Sequence, residues 1–210
     1  MKRILNNLLL LSLSLLMLSC GKDSKEKKTS TLSKIIETTK AVKNQSKNAK
    51  KLKGTFEDAQ KLAEMEPIDQ AKLKEWLPKS VKDYKRTLYK TGELNVMGTS
   101  GFNSEYTKEK DADKKISFDV VDGAGSFVAT TIAGFNRMLG LDAEEETEHY
   151  YKKTVKKQGY TAVEEQNNNS KKAKITFVHN NRFMITVEGK NQTAEDLWEF
   201  IGMLPLKQLK

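Results

Sequence analysis

Hydrophobic and polar residues recur with two different periods along this chain, and the change of period divides it. Between Leu32 and Met65, the residues Ile35, Val42, Ala49, Phe56 and Ala63 recur every seven positions, with Leu52 and Ala59 on a companion seam. That spacing predicts a helix. Thr38 and Gln45 interrupt the companion seam, and Gly54 weakens a helix by about 1 kcal/mol. The segment therefore reads either as a coiled-coil arm or as a helix laid on its own domain. Glu66-Pro67 ends it, because a residue before proline is pushed out of the α region. In "IDQAKLKEWLP", Asp69 is the expected N-cap, Ile68 is placed to staple onto Leu73, and Pro78 closes a short helix that turns Leu73, Trp76 and Leu77 inward.

Beyond Pro78 the period falls to two. "DYKRTLYKT", "FNSEYTKE" and "KKISFDVVD" predict three strands, set off by turn-rich stretches with glycines at 92, 98 and 101. "SFVATTIAGFNRML" predicts a helix burying Phe127, Ile132, Phe135 and Leu139. An acidic loop follows, then "HYYKKTVKK", a turn at Gly159, "YTAVEEQ", a turn at "NNNS", "KAKITFVH", a tight turn at Asn180-Asn181, and "RFMITVEG". The last helix starts at Thr193, whose spacing to Asp196 is that of a capping box, and it buries Leu197, Phe200 and Ile201. Three strands, a helix, four strands and a helix define an α+β class with antiparallel pairing. A domain over residues 67–210 is long enough for one core.

The amino-terminal end adds an address. Lys2 and Arg3 precede a mostly leucine run from Ile4 to Leu18, and Ser19 precedes Cys20, the only cysteine of the 210 residues. That is the layout of a secretory leader. The run is shorter than the ~20 residues a membrane-crossing helix needs. The stretch "LLMLSCGK" resembles a bacterial lipobox, in which Cys20 becomes the first mature residue and carries acyl chains; Met17 and Leu18 depart from its commonest choices. The resemblance implies a signal peptide over 1–19 and a lipidated tether over 20–34, and the sevenfold spacing predicts a helical segment over 35–66. Two or more chains anchor stably, at roughly 0.8 kcal/mol per buried methylene. Gly21, where an inner-membrane retention signal has Asp, implies the outer membrane by the usual sorting rule. With one cysteine, no intramolecular disulfide can form.

Charge changes the picture less than its total suggests. The chain carries a formal +9 with two histidines counted neutral. Two of those charges leave with the leader. Residues 21–55 hold eleven lysines against Asp23, Glu26 and Glu37, a net of eight, so residues 56–210 carry −1. A basic strip beside a lipid anchor is a solvated tether near anionic headgroups. The domain shows no basic stripe interleaved with aromatics, so nucleic acid is not an expected partner.

"EPIDQAKLKEWLP", "SEY", "ISFDVVDGAG", "NRFMITVEGKN" and "MLPLKQL" together resemble a family of bacterial lipoproteins and secreted proteins over about residues 66–210. The strand and helix order is also similar to the PsbP-like α/β/α sandwich, at the level of fold alone. The family resemblance supplies no catalytic or ligand residues to transfer.

Candidate chemistry is sparse. Asp119 and Asp122, at a strand end before two glycines and a helix, are positioned either to hold a cation or to form a turn in which Asp122 or Ser126 caps the helix. The glycine spacing does not complete a dinucleotide fingerprint, since Val128 stands where the third glycine belongs. Glu144, Glu145, Glu146, Glu148 and His149 form an acidic cluster that reads as a solvated loop or a weak divalent-ion site. His149 and His179 stand apart, without zinc spacing, and no Gly-x-Ser-x-Gly elbow occurs. Tyr84, Tyr89, Tyr106, Tyr150, Tyr151, Phe177 and Phe183 are core residues or the lining of a groove. Asn191-Gln-Thr193 fits a glycosylation sequon but also the helix cap. No cofactor, metal or catalytic motif is expected. The expectation is a lipid-anchored envelope protein whose non-catalytic domain binds a protein or other envelope component. The alternatives are a glycan-directed hydrolase and a carrier of a small apolar ligand.

Overall fold

A computed structural model of the chain describes residues 53–92 and 99–210. Cys20, the leader, the tether and the expected helix before residue 53 lie outside the described residues. Helix α1 covers 53–63 and stops short of Pro67. Helix α2 (Gln70–Trp76) follows, its amino end held by the Asp69 carboxylate, which accepts from the backbone N–H of Ala71 and Lys72. Strands β1 (Ser80–Val81), β2 (Tyr84–Lys90), β3 (Gly101–Lys108) and β4 (Asp111–Asp122) lead to helix α3 (Ser126–Met138). Strands β5 (Glu144–Glu146), β6 (Tyr150–Lys157), β7 (Tyr160–Asn167), β8 (Lys172–His179) and β9 (Phe183–Lys190) precede helix α4 (Ala194–Met203).

The nine strands among the described residues form one antiparallel sheet in the order β1-β2-β3-β4-β9-β8-β7-β6-β5. Two meanders meet along β4 and β9, and α3 carries the chain from the sheet centre to its far edge. The order is therefore four strands, helix, five strands, helix, which corrects the expected three-helix-four-helix sequence. The additions, β1 and β5, are edge strands of two and three residues. They are too short to show a period of two, and the three glutamates of β5 are poor strand formers that pairing with β6 alone holds extended. The tight hairpins form where the left-handed backbone is available, at Gln158-Gly159 (φ 51° and 81°) and Asn180-Asn181 (φ 51° and 53°).

Alternation decides which side of the sheet is sealed. Ile116, Phe118 and Val120 of β4, Ile175 and Phe177 of β8, and Phe183, Ile185 and Val187 of β9 share one face. They pack with Leu73 of α2 and Leu77 at its C-cap, Leu197, Trp198, Phe200 and Ile201 of α4, and Leu206 and Leu209 after it. The capping box expected at Thr193 is present, with reciprocal bonds between Thr193 and Asp196. Gly189 lies beneath α4, where a Cβ would stand 2.5 Å from Gln192 Cβ and 2.8 Å from Leu197 Cδ2. On the opposite face a smaller cluster joins Leu62 and Ala63 of α1 to Val128, Ala129 and Ile132 of α3 over Val121, Val178 and Met184. The last turn of α1 thus lies on its own domain. Phe56, on the sevenfold series, is 78% exposed.

Candidate functional site

The second face of the sheet is where the described chain leaves side chains uncovered. Helices α1 and α3 lie over one end of it, and the 3-10 turn Leu139–Leu141 reaches β7. Beyond them the pairing registers place mostly polar residues in three parallel rows. The row next to α3 runs Asn103, Asp119, Thr186, Thr176, Val163 and Thr154. The middle row runs Glu105, Ser117, Glu188, Lys174, Glu165, Lys152 and Glu145. The outer row runs Lys85, Thr107, Lys115, Lys190, Lys172, Asn167 and Tyr150. Ion pairs fasten these rows, Lys115 of the outer row to Glu105 of the middle row at 3.1 Å and Lys152 to Glu165 within the middle row at 3.5 Å.

Asp119 is a half-buried carboxylate of this face. Its Oδ1 accepts from the Asn103 amide and, at 3.2 Å, from the Ser117 hydroxyl. Burial raises its pKa above the ordinary aspartate value, the two hydrogen bonds oppose that shift, and the charge of Glu188 adds to it. A cleft of about 180 Å³ opens beside it, lined by Lys90, Gly101, Phe102, Asn103 and Val121. A second depression of about 230 Å³ lies across β6 to β9, bordered by Tyr150, Glu165, Asn167, Lys172, Lys174 and Glu188. The Tyr150 hydroxyl donates to Glu165 Oε2 at 3.3 Å, and burial together with Glu165 raises its pKa.

The other sequence candidates are dispersed. Asp122 is three residues from Asp119 and so faces the opposite side of β4. It is fully buried and paired with Arg182, whose Nε and Nη2 donate to its two oxygens at 2.7 Å each. It also accepts from the backbone of Ile68 and Ala124. Asp122 therefore joins the α1–α2 linker, the approach to α3 and the β8–β9 hairpin, with no oxygen left for a cation. It does not cap α3, whose N-cap is Gly125 at φ 90°.

Glu144, Glu145 and Glu146 are exposed on β5 opposite Lys153, Lys152 and Tyr151. Glu148 lies 3.7 Å from His149. Among the described residues no three potential ligands converge on a metal position. His179 is buried, its Nδ1 3.1 Å from the Tyr160 hydroxyl and its Nε2 3.2 Å from the Leu209 carbonyl. Because a carbonyl only accepts, Nε2 carries the proton and Nδ1 accepts from Tyr160. Tyr84, Tyr106, Phe177 and Phe183 belong to the main core, and burial pushes the Tyr106 pKa up to about 12. Tyr89 packs against that core, and Tyr151 donates to buried Glu164 at 2.9 Å. Asn191, at φ 56°, donates to the Asp113 carbonyl, so the sequon residues serve the turn before α4.

The open face was not legible as a site in the sequence. Its residues come from eight strands, and only the register brings Lys115, Lys190 and Lys172 side by side. Comparison with protein-family models, curated proteins and solved structures finds no match for the chain.

Proposed function

We propose that the protein is a lipid-anchored component of a bacterial envelope, held through acyl chains on Cys20, whose folded domain binds an envelope partner without catalysis. The Lys2-to-Cys20 pattern supports the anchor. The asymmetry of the sheet supports the binding role: one face is sealed by α2, α4 and the carboxyl-terminal turn, whereas the described helices cover only one end of the other. An antiparallel sheet tolerates a solvated face. Here that face is a broad, firm platform of charged and polar groups.

Two measurements test this reading together. A palmitate analogue is expected to label the wild type and not Cys20→Ser. A photo-crosslinker replacing Glu188, on the open face, is expected to capture a reproducible adduct in intact cells, whereas one replacing Met203, on α4 at the sealed face, is not. An unlabelled wild type refutes the anchor, and adducts only from position 203 refute the face.

A second reading has one specific observation behind it. Asp119 and Glu188 are diagonal neighbours on β4 and β9, and the raised pKa of Asp119 suits a proton donor. A hydrolase of envelope glycans would release reducing ends, and Asp119→Asn would abolish that release.

A further inference from the structure

The outer row of the open face carries an arrangement that a sheet does not favour for its own sake. Lys115 on β4 is directly opposite Lys190 on β9, and Lys190 is directly opposite Lys172 on β8. Two successive like-charge pairs across neighbouring strands oppose folding. Lys115 is neutralised by Glu105. Lys172 and Lys190 are exposed, and no acid lies within ion-pair distance of either among the described residues. Lys85 extends the row past Thr107. With strands about 4.8 Å apart, the cations from Lys85 to Lys172 span roughly 19 Å in a line across the strands. The other end of the row continues as Asn167 and then the Tyr150 ring, which border the 230 Å³ depression.

We propose that this row binds a linear acidic polysaccharide, with the lysines meeting carboxylates spaced along the polymer, Asn167 meeting sugar hydroxyls and the Tyr150 ring meeting a sugar face. The proposal rests on the open face being the binding surface of the domain. The row's shape selects among anions. Glu188, Glu165 and Glu145, which alternate with Lys174 and Lys152 in the adjacent row, would be pressed against a flat anionic bilayer, whereas they border a narrow chain lying on the lysines only from one side. The neutral, ring-bearing end distinguishes a sugar polymer from a simple polyphosphate.

The test titrates the full chain, in nonionic detergent, with an oligogalacturonate long enough to span the row. Neutral dextran, polyphosphate and phosphatidylglycerol vesicles are the comparisons. The oligouronate is expected to bind with an affinity that falls steeply as salt rises, and dextran is not. Lys172→Ala with Lys190→Ala is expected to weaken binding about tenfold or more, and Tyr150→Ala several-fold at unchanged salt dependence. Relief of the like-charge pairs should leave the melting temperature of the lysine variant at or above wild type. Lys190→Thr, a strong strand former, repeats the measurement in a second background.

Failure of the oligouronate to bind, equal binding by the lysine variants, or binding to vesicles alone each overturns the proposal. So does polyphosphate binding that matches the oligouronate with Tyr150→Ala silent. If the crosslinker at position 188 still captures its adduct in the lysine variant, the open face remains a binding surface and only the polysaccharide is lost.

Discussion

Asp122 illustrates how a residue's chemistry is reassigned by what surrounds it. A carboxylate before two glycines has the look of a ligand, but at zero exposure its oxygens are taken up by Arg182 and two backbone N–H groups, the partners a buried polar group requires. Removing one partner of such a pair leaves the other buried and uncompensated. Asp122→Ala is expected to lower the unfolding free energy by about 3–5 kcal/mol in urea titrations, and a loss under 1 kcal/mol would contradict its role as the joint of three segments.

Asp119, three positions earlier, has the opposite balance. Its raised native pKa means that the folded state holds this proton more tightly than the unfolded chain. Stability from this group is therefore gained as pH falls through the native value toward 3.8, and its ionisation at neutral pH works against folding. Asp119→Asn keeps an acceptor for Asn103 and Ser117. Its unfolding midpoint is expected to exceed wild type at pH 7, with the gap closing on acidification.

At the scale of elements, the carboxyl-terminal turn depends on neutral His179. The Leu209 carbonyl also accepts from the Asn180 amide at 2.9 Å, so the β8–β9 hairpin clasps the end of the chain over the core. Burial, the largest cause, lowers the His179 pKa below 6.5, with backbone hydrogen bonds to Leu209 and Leu206 opposing it. The unfolded chain then takes up a proton before the folded one does. The stability due to this group is fully present above pH 6.5 and is lost as pH falls from there through the native pKa. Wild type should lose stability between pH 7 and 5 more steeply than His179→Gln, as measured by midpoints in parallel urea titrations. Equal slopes would show that the clasp does not titrate. The short edge strands act at the same scale. β1 and β5 leave little free ladder, and the glutamates of β5 discourage edge-to-edge pairing with another chain.

At the scale of the whole molecule, the two meanders share one sheet through β4 and β9 and one core through α2 and α4. Trp76 donates to the Pro205 carbonyl at 3.1 Å, and Trp198 donates to Glu164 at 2.7 Å, so each indole reports on packing between distant segments. Unfolding followed in Trp76→Phe and Trp198→Phe, each read by the remaining tryptophan, is expected to give one transition each, with both matching the far-ultraviolet signal. Separate transitions from the two probes would divide the domain.

What the sequence determined by itself was the local code: a period of seven giving way to a period of two, the caps at Asp69 and Thr193, and the hairpin turns at Gly159 and Asn180-Asn181. These depend on neighbours within a few residues, and so does the α+β class. The two shortest strands carried too few residues for a pattern. Only the tertiary structure decided that β4 pairs with β9, that Asp122 meets Arg182 sixty positions away, that Leu62 rather than Phe56 docks α1, and that three lysines stand in a line. Each is a contact across the sheet or between layers, and its partner is chosen by register and packing rather than by spacing along the chain.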